Sequence, residues 1–254
     1  MRHSSHGGRH ELGQNNLVHK PTINRIARLV AATDGPILEL GAGDGALTRA
    51  LAGLGRPLTS IEIDEHRVTR LRRALPQVRI DQADALRHPL TTAVVVGNIP
   101  FHITTPILRR LVTTGTWQHA FLLTQWEVAR RRAGVGRGTL MTAQAAPWFT
   151  FDLHGRVPSW CFTPRPGVDG GVLSITRRGS PLVPPRERTA YDRFVRAVFT
   201  GSGGTVEHIL RRATPLSTAA VRGSLRRAGV SSGSLPRDLD ARQWAALWAA
   251  TRGR

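Results

Sequence analysis

Asn98-Ile99-Pro100-Phe101 brings together an amide side chain, backbone carbonyls, a rigid proline and a flat ring. Those groups suit an exocyclic amine on a nucleobase. Two oxygens can accept its hydrogens, and the ring offers a face on which the base can lie. The chemistry this would serve is activation of a poor nucleophile, because the amine lone pair is delocalised into the ring. The same four residues also describe a strand end followed by a turn proline and a core phenylalanine. Their setting decides between the two readings.

The setting is that of an open parallel sheet. Ala93-Val94-Val95-Val96-Gly97, just ahead of the motif, reads as a buried strand. Upstream, Pro36 to Thr48 reads as a strand, a turn built on Gly41, Gly43 and Gly45, and the start of a helix. This run fits G-x-G-x-x-A, so a nicotinamide-dinucleotide site and a dehydrogenase are one reading. Leu58 to Asp64 is a further strand, and its Glu62 lies 21 residues after Gly41. That offset suits a carboxylate holding ribose hydroxyls. Val78 to Ala85 delivers Asp84. Successive strands therefore end in polar residues at one sheet edge, where open α/β sheets bind ligands.

Charge separates the two nucleotide readings. A dinucleotide needs free N–H donors for its pyrophosphate. S-adenosylmethionine has no phosphate and carries a sulfonium and an ammonium. Glu39 just before the turn and Asp44 inside it suit a cation better than a pyrophosphate. A solvated loop and a helix cap are the plainer explanation of these two acids.

Five segments, in order, resemble the ribosomal RNA adenine N6-methyltransferases. They are His10 to Leu17, Glu39 to Gly43, Glu62 with Asp84, Asn98 to Phe101, and Phe162 to Asp169. Within that family the chain is most similar to the Erm methyltransferases of macrolide-lincosamide-streptogramin B resistance, which modify 23S rRNA. The alternative is the enzyme that dimethylates 16S rRNA adenines during ribosome assembly; Asn-Ile-Pro-Phe in place of Asn-Leu-Pro-Tyr favours the former. The resemblance implies a class I, Rossmann-like α/β methyltransferase fold with a small C-terminal helical domain. It implies S-adenosylmethionine as cofactor, with contacts from Asn15, Leu17, Glu39, Gly41, Gly43, Glu62, Ile63, Asp84, Ala85 and Asn98. Catalysis falls to Asn98, Ile99, Pro100 and Phe101, and the target base would lie between Phe101 and Phe162. One departure is Asn16, where the family usually has phenylalanine, so an apolar contact is missing there.

Composition points to a phosphate-rich partner. The chain of 254 residues carries 36 basic and 17 acidic residues, a net charge of +19. Lys20 is the only lysine, and arginine forks onto phosphates and stacks on bases better than lysine does. Arg130, Arg131 and Arg132, followed by a glycine-spaced loop with Arg137, are candidate contacts to an RNA backbone. Cys161 is the sole cysteine, so no intrachain disulfide is expected, in keeping with a reducing cytoplasm. His3, His6 and His10 are irregularly spaced, and no metal site is expected. No apolar run is long enough to span a membrane.

The chain divides by pattern into a tail over 1–13, a Rossmann-like domain over 14–178 and a small helical RNA-binding domain over 179–254. The Pro-rich segment Gly179 to Pro185 marks the second boundary. A monomeric, cytoplasmic enzyme acting on 23S rRNA before subunit assembly is complete is expected. A non-catalytic rRNA-binding factor is the reading from another class.

Overall fold

A computed structural model of the chain describes residues 15–252. The expected tail over 1–13, with His3, His6 and His10, lies outside the described residues. The described strands are β1 (Asn16–Leu17), β2 (Ile37–Leu40), β3 (Leu58–Glu62), β4 (Arg79–Gln82), β5 (Val94–Asn98), β6 (His119–Gln125), β7 (Phe149–Val157), β8 (Phe162–Thr163) and β9 (Gly170–Arg177). The helices are α1 (Lys20–Ala31), α2 (Ala46–Ala52), α3 (Glu65–Ala74), α4 (Thr104–Thr113), α5 (Trp126–Arg132), α6 (Leu140–Ala145), α7 (Arg188–Thr200), α8 (Val206–Ala213), α9 (Thr218–Arg227) and α10 (Ala241–Thr251).

Seven strands form one sheet in the order β4-β3-β2-β5-β6-β9-β7. The pairs β2–β3, β3–β4, β2–β5 and β5–β6 are parallel. Continuous apolar runs such as Ile37-Leu38 and Val94-Val95-Val96 are buried on both faces of such a sheet. The chain moves outward from β2 through β3 to β4, then returns to place β5 on the other side of β2. The order therefore reverses between β2 and β5. A crevice opens there at the carboxyl ends of the strands. The two late strands, β7 and β9, are neighbours at the end of the sheet. A second sheet of two strands, not foreseen, pairs β1 antiparallel with β8.

Helix α1 begins three residues before the apolar periodicity does. Thr22, Ile23, Ile26, Ala27 and Val30 make its buried stripe, and Pro21 is tolerated because the first turn has no partner for its N–H anyway.

Contacts group the described residues into two compact units, 15–129 with 152–175 and 130–151 with 176–252. The expected division at 178/179 differs from these units in two ways, the first being that the later break falls at 175/176. The second is that segment 130–151, expected with the sheet, groups with the later helices. The reason is local packing. Tyr191 of α7 is fully buried, donates its hydroxyl to the Ala143 carbonyl of α6 at 2.9 Å, and meets Trp148 edge-on at 5.4 Å. Burial pushes the Tyr191 phenol far above its ordinary pKa, so the hydroxyl remains a donor. Phe194, Trp244 and Trp248 extend this aromatic core. The later part of the chain forms the four helices α7 to α10.

Tyr191→Phe removes that donor and leaves the Ala143 carbonyl unsatisfied. It should cost about 1–3 kcal/mol, read as a lower urea midpoint at unchanged slope. An unchanged midpoint would mean the carbonyl finds another donor.

Candidate active site

The crevice is set by how closely β5 approaches β2. A Cβ on Gly97 would lie 2.7 Å from the Leu40 carbonyl oxygen and 2.7 Å from Ile99 Cδ1. Only glycine permits that contact, and the next residue, Asn98, consequently ends β5 directly beside the glycine turn after β2. Gly41, Gly43 and Gly45 all have positive φ, which lets the turn fold tightly toward α2.

A cavity of about 250 Å³ lies at this edge. Of the residues expected at the site, Asn15, Gly41, Gly43, Glu62, Ile63, Asp84, Ala85 and Asn98 to Phe101 all line it. Glu62, 2% exposed, closes β3. Its Oε2 accepts from the Gly43 N–H at 2.8 Å, and its Oε1 from Ile63 and Asp64 N–H at 2.9 and 3.1 Å. A carboxylate has about four acceptor positions. Three are filled, so one remains for a ligand hydroxyl rather than two. Asp84 Oδ1 accepts from Leu86 N–H at 2.8 Å. Arg110 of α4 donates to the carbonyls of Ala85 and His88 at 2.5 and 2.8 Å. The loop carrying Asp84 is thereby pinned to the helix that follows the Asn98 motif. Ile63, 51% exposed, gives the cavity an apolar flank.

Asn98 Nδ2 donates to the Asn15 carbonyl at 2.8 Å. A carbonyl partner admits only the amine end of the amide there, so Oδ1 is the free end. Behind the motif, Thr124 Oγ1 donates to Thr104 Oγ1 at 2.9 Å, and Thr104 Oγ1 donates to the Pro100 carbonyl at 3.3 Å. The Pro100 carbonyl also accepts from Ile103 N–H at 3.1 Å. With both its lone pairs used, Pro100 gives way to Ile99 as the carbonyl for a ligand. Thr104 and Thr124 are supporting residues missed in the sequence; Thr104 follows the motif by three residues and carried no signal of its own.

Several expected residues are placed otherwise. Glu39 does not line this cavity. It is 1% exposed and accepts Thr48 and Ser60 hydroxyls at 2.7 and 2.6 Å. It lines instead an adjoining cavity of about 570 Å³, with Leu17 and Asp44. Burial pushes its carboxyl above the ordinary range; the two hydroxyls work against this and Glu62 adds to it. Asp44 is held by Asn16 Nδ2 at 2.8 Å, by Arg70 and, at 3.9 Å, by Arg67. The acids first assigned to a cation are thus a buried, hydroxyl-bonded group and a neutralised one. Phe162 is 3% exposed and in the apolar core. Pairing of β8 with β1 turns it inward and Thr163 outward, so it presents no face to a base. In the other unit, Arg131 and Arg137 are exposed, whereas Arg130 and Arg132 are half-buried. Arg132 donates to the α6 cap, Thr139 Oγ1, at 2.6 Å.

The donors of the glycine turn discriminate between nucleotide ligands. Gly41 and Ala42 N–H both donate to the Ile61 carbonyl, at 2.9 and 3.0 Å. Gly43 N–H goes to Glu62, and Gly45 N–H to the Ala42 carbonyl at 2.9 Å. A pyrophosphate would find no such run of free amides. The lining offers instead the Glu62 and Asp84 carboxylates and the apolar flank of Ile63, groups that suit a nucleoside without phosphate.

This fold and this crevice define a Rossmann-like methyltransferase. The chain matches the family described as ribosomal RNA adenine dimethylase over residues 5–246, and it belongs to that family. It is 49% identical to the mycinamicin-resistance protein MyrB of Micromonospora griseorubida, covering 95% of this chain and 78% of that protein. It is 50% identical to an rRNA adenine N-6-methyltransferase of Corynebacterium diphtheriae, over 81% of this chain and 83% of that one. The crystal structure of the 23S rRNA methyltransferase ErmE superposes with a TM-score of 0.84 at 33% identity, covering 93% of this chain and 99% of ErmE.

The position of Glu39 has a pH signature. A carboxyl whose native pKa is raised favours the fold below its unfolded value, near 4.5. That contribution is lost as pH rises through the native value. Glu39→Gln keeps an acceptor for both hydroxyls and cannot ionise. Its stability relative to the parent should therefore improve from about pH 5 to about pH 8, measured by urea unfolding. A constant difference would show that the buried carboxylate ionises freely.

Proposed function

We propose that this chain methylates the N6 amine of an adenine in 23S rRNA, using S-adenosylmethionine, and thereby confers macrolide-lincosamide-streptogramin B resistance. The observation that carries the chemistry is the locked amide of Asn98, whose Oδ1 faces away from the Asn15 carbonyl. The relatives that give resistance or modify 23S rRNA carry the choice of substrate.

S-adenosylmethionine, when bound, supplies an electrophilic methyl group. Glu62 would hold a ribose hydroxyl and Asp84 the adenine amine. Ile63 and Ala85 would flank the ring, and Gly41, Gly43 and Asn15 would line the remainder. The target adenine leaves its stack and lies against Phe101. Asn98 Oδ1 accepts one N–H of its amine and the Ile99 carbonyl accepts the other. These two bonds draw the nitrogen toward a tetrahedral shape and localise its lone pair. Their preorganisation lowers the barrier because the acceptors need not move as charge develops. No strong base is required: the methylated nitrogen is acidic, and water takes its proton.

A 16S rRNA dimethyltransferase is the competing enzyme reading, and a non-catalytic rRNA-binding factor the competing one of another class. The second is disfavoured because the acceptor groups of Asn98 and Ile99 and the ring of Phe101 that the chemistry needs all line the cavity. A cytoplasmic monomer acting on rRNA before assembly is complete fits a basic chain in which no helix of the described residues is long and apolar enough to cross a membrane.

Mass mapping of rRNA from cells expressing the chain should find the new methyl groups on a 23S adenine. Methyl groups on 16S adenines alone would favour the assembly enzyme. With purified protein, Asn98→Ala should slow single-turnover transfer about 10²–10³-fold while RNA binding persists. Phe101→Ala should lose about 1–3 kcal/mol of stacking, and Phe101→Tyr should keep most activity. Parental transfer by Asn98→Ala would remove Asn98 from catalysis.

A further inference from the structure

Phe162 is buried, yet the segment it belongs to presents another aromatic ring. Trp160, two residues earlier, is 58% exposed and has the greatest exposure of the large apolar side chains described. It sits in the 3-10 turn Ser159–Cys161. An indole so open to water offers a large flat apolar face for a partner to cover.

The turn is fastened, so the ring is not on a loose loop. Asp169 Oδ1 accepts from Ser159 N–H at 2.7 Å, and Arg165 Nε donates to Ser159 Oγ at 2.9 Å. The Ser159 bond, aided by Arg156, holds the Asp169 carboxyl below its ordinary range, so the anchor is a carboxylate at neutral pH. Val18 N–H donates to the Cys161 carbonyl at 2.9 Å. The His19 ring meets the Trp160 ring edge-on, with centroids 4.9 Å apart.

The same contacts place Trp160 near the site. His19 and Val18 follow Asn15, whose carbonyl holds Asn98. Four residues of extended chain span at most roughly 14 Å. Lys20, next in the chain to His19, and Arg165, bonded to Ser159 beside Trp160, are exposed cations, and Val18 is 52% exposed. An exposed indole among cations fits a nucleobase joined to phosphates: the base stacks, and the cations meet the backbone. A hydrophobic protein partner would not call for Lys20 and Arg165 at the rim.

Resting on the rRNA reading above, we infer that Trp160 stacks on an unpaired nucleotide of the RNA flanking the target adenine. Phe101 takes the target itself, and Trp160 takes a neighbour outside the cavity. Trp160 is therefore a substrate-binding residue and not a catalytic one.

The test uses the full chain with two probes, single-stranded oligo-adenylate and protein-free 23S rRNA. Trp160→Ala should weaken binding of both by roughly 5- to 100-fold, with the loss in KM for RNA rather than in kcat. Trp160→Phe should recover most of the affinity. The parent should show tryptophan quenching by oligo-adenylate that Trp160→Phe lacks. Parental affinity in Trp160→Ala, or the same quenching in Trp160→Phe, would overturn the inference and leave the patch to a protein partner. A parent that binds RNA through Trp160 but transfers no methyl group would sink the enzymatic reading alone.

Discussion

The closeness of β5 to β2 is the constraint on which the site depends. With a side chain at position 97, the Leu40 carbonyl and the Ile99 side chain would be pushed away, and the crevice between the two strand ends would open. The strand reversal at this point places a glycine turn and the Asn98 amide side by side. Their juxtaposition comes from topology, and the glycine makes it tight enough to be chemical.

Around that contact the polar groups are consumed from within. Amides of the glycine turn serve Ile61, Glu62 and Ala42. Asp44 is taken by Asn16 and two arginines, and Glu39 by two hydroxyls. Few unsatisfied donors remain for an anion, and the free capacity is acceptor capacity: one position on Glu62, Oδ1 of Asn98, the Ile99 carbonyl. Ligands rich in hydroxyls and amines match such a site. The case against pyrophosphate therefore rests on where N–H bonds go. Glu39 and Asp44 were the wrong reason for a sound exclusion.

Much of the sheet was legible because buried parallel strands are short apolar runs between turns, and the later helices because their apolar stripes recur at helical spacing. The cavity lining was legible where a residue ends a strand, as at Glu62 and Asn98, or closely follows one, as at Asp84. What stayed hidden has a common cause. The two-residue strands β1 and β8 are too short to show alternation, so the direction of Phe162 could not be read. The packing of 130–151 with α7 depends on Tyr191 reaching a carbonyl 48 positions away. Burial of Glu39 is a property of the whole sheet. A residue type announces what chemistry is available, whereas its partner depends on contacts distant in the chain.

The departure at Asn16 shows how such contacts alter the meaning of a substitution. An asparagine in place of phenylalanine removes an apolar surface, and by sequence it reads as a loss. In the fold its Nδ2 reaches Asp44 across the glycine turn, and its Oδ1 lies against Gly43, where a Cβ would come within 3.1 Å. The preceding residue, Asn15, holds the Asn98 amide. The N-terminal segment is thus bonded at adjacent residues to the two halves of the crevice, the turn after β2 and the end of β5. A phenylalanine could pack here but could not reach a carboxylate. The polar residue exchanges dispersion for a directional tie, and Asp44 inside the turn gives that tie an anchor.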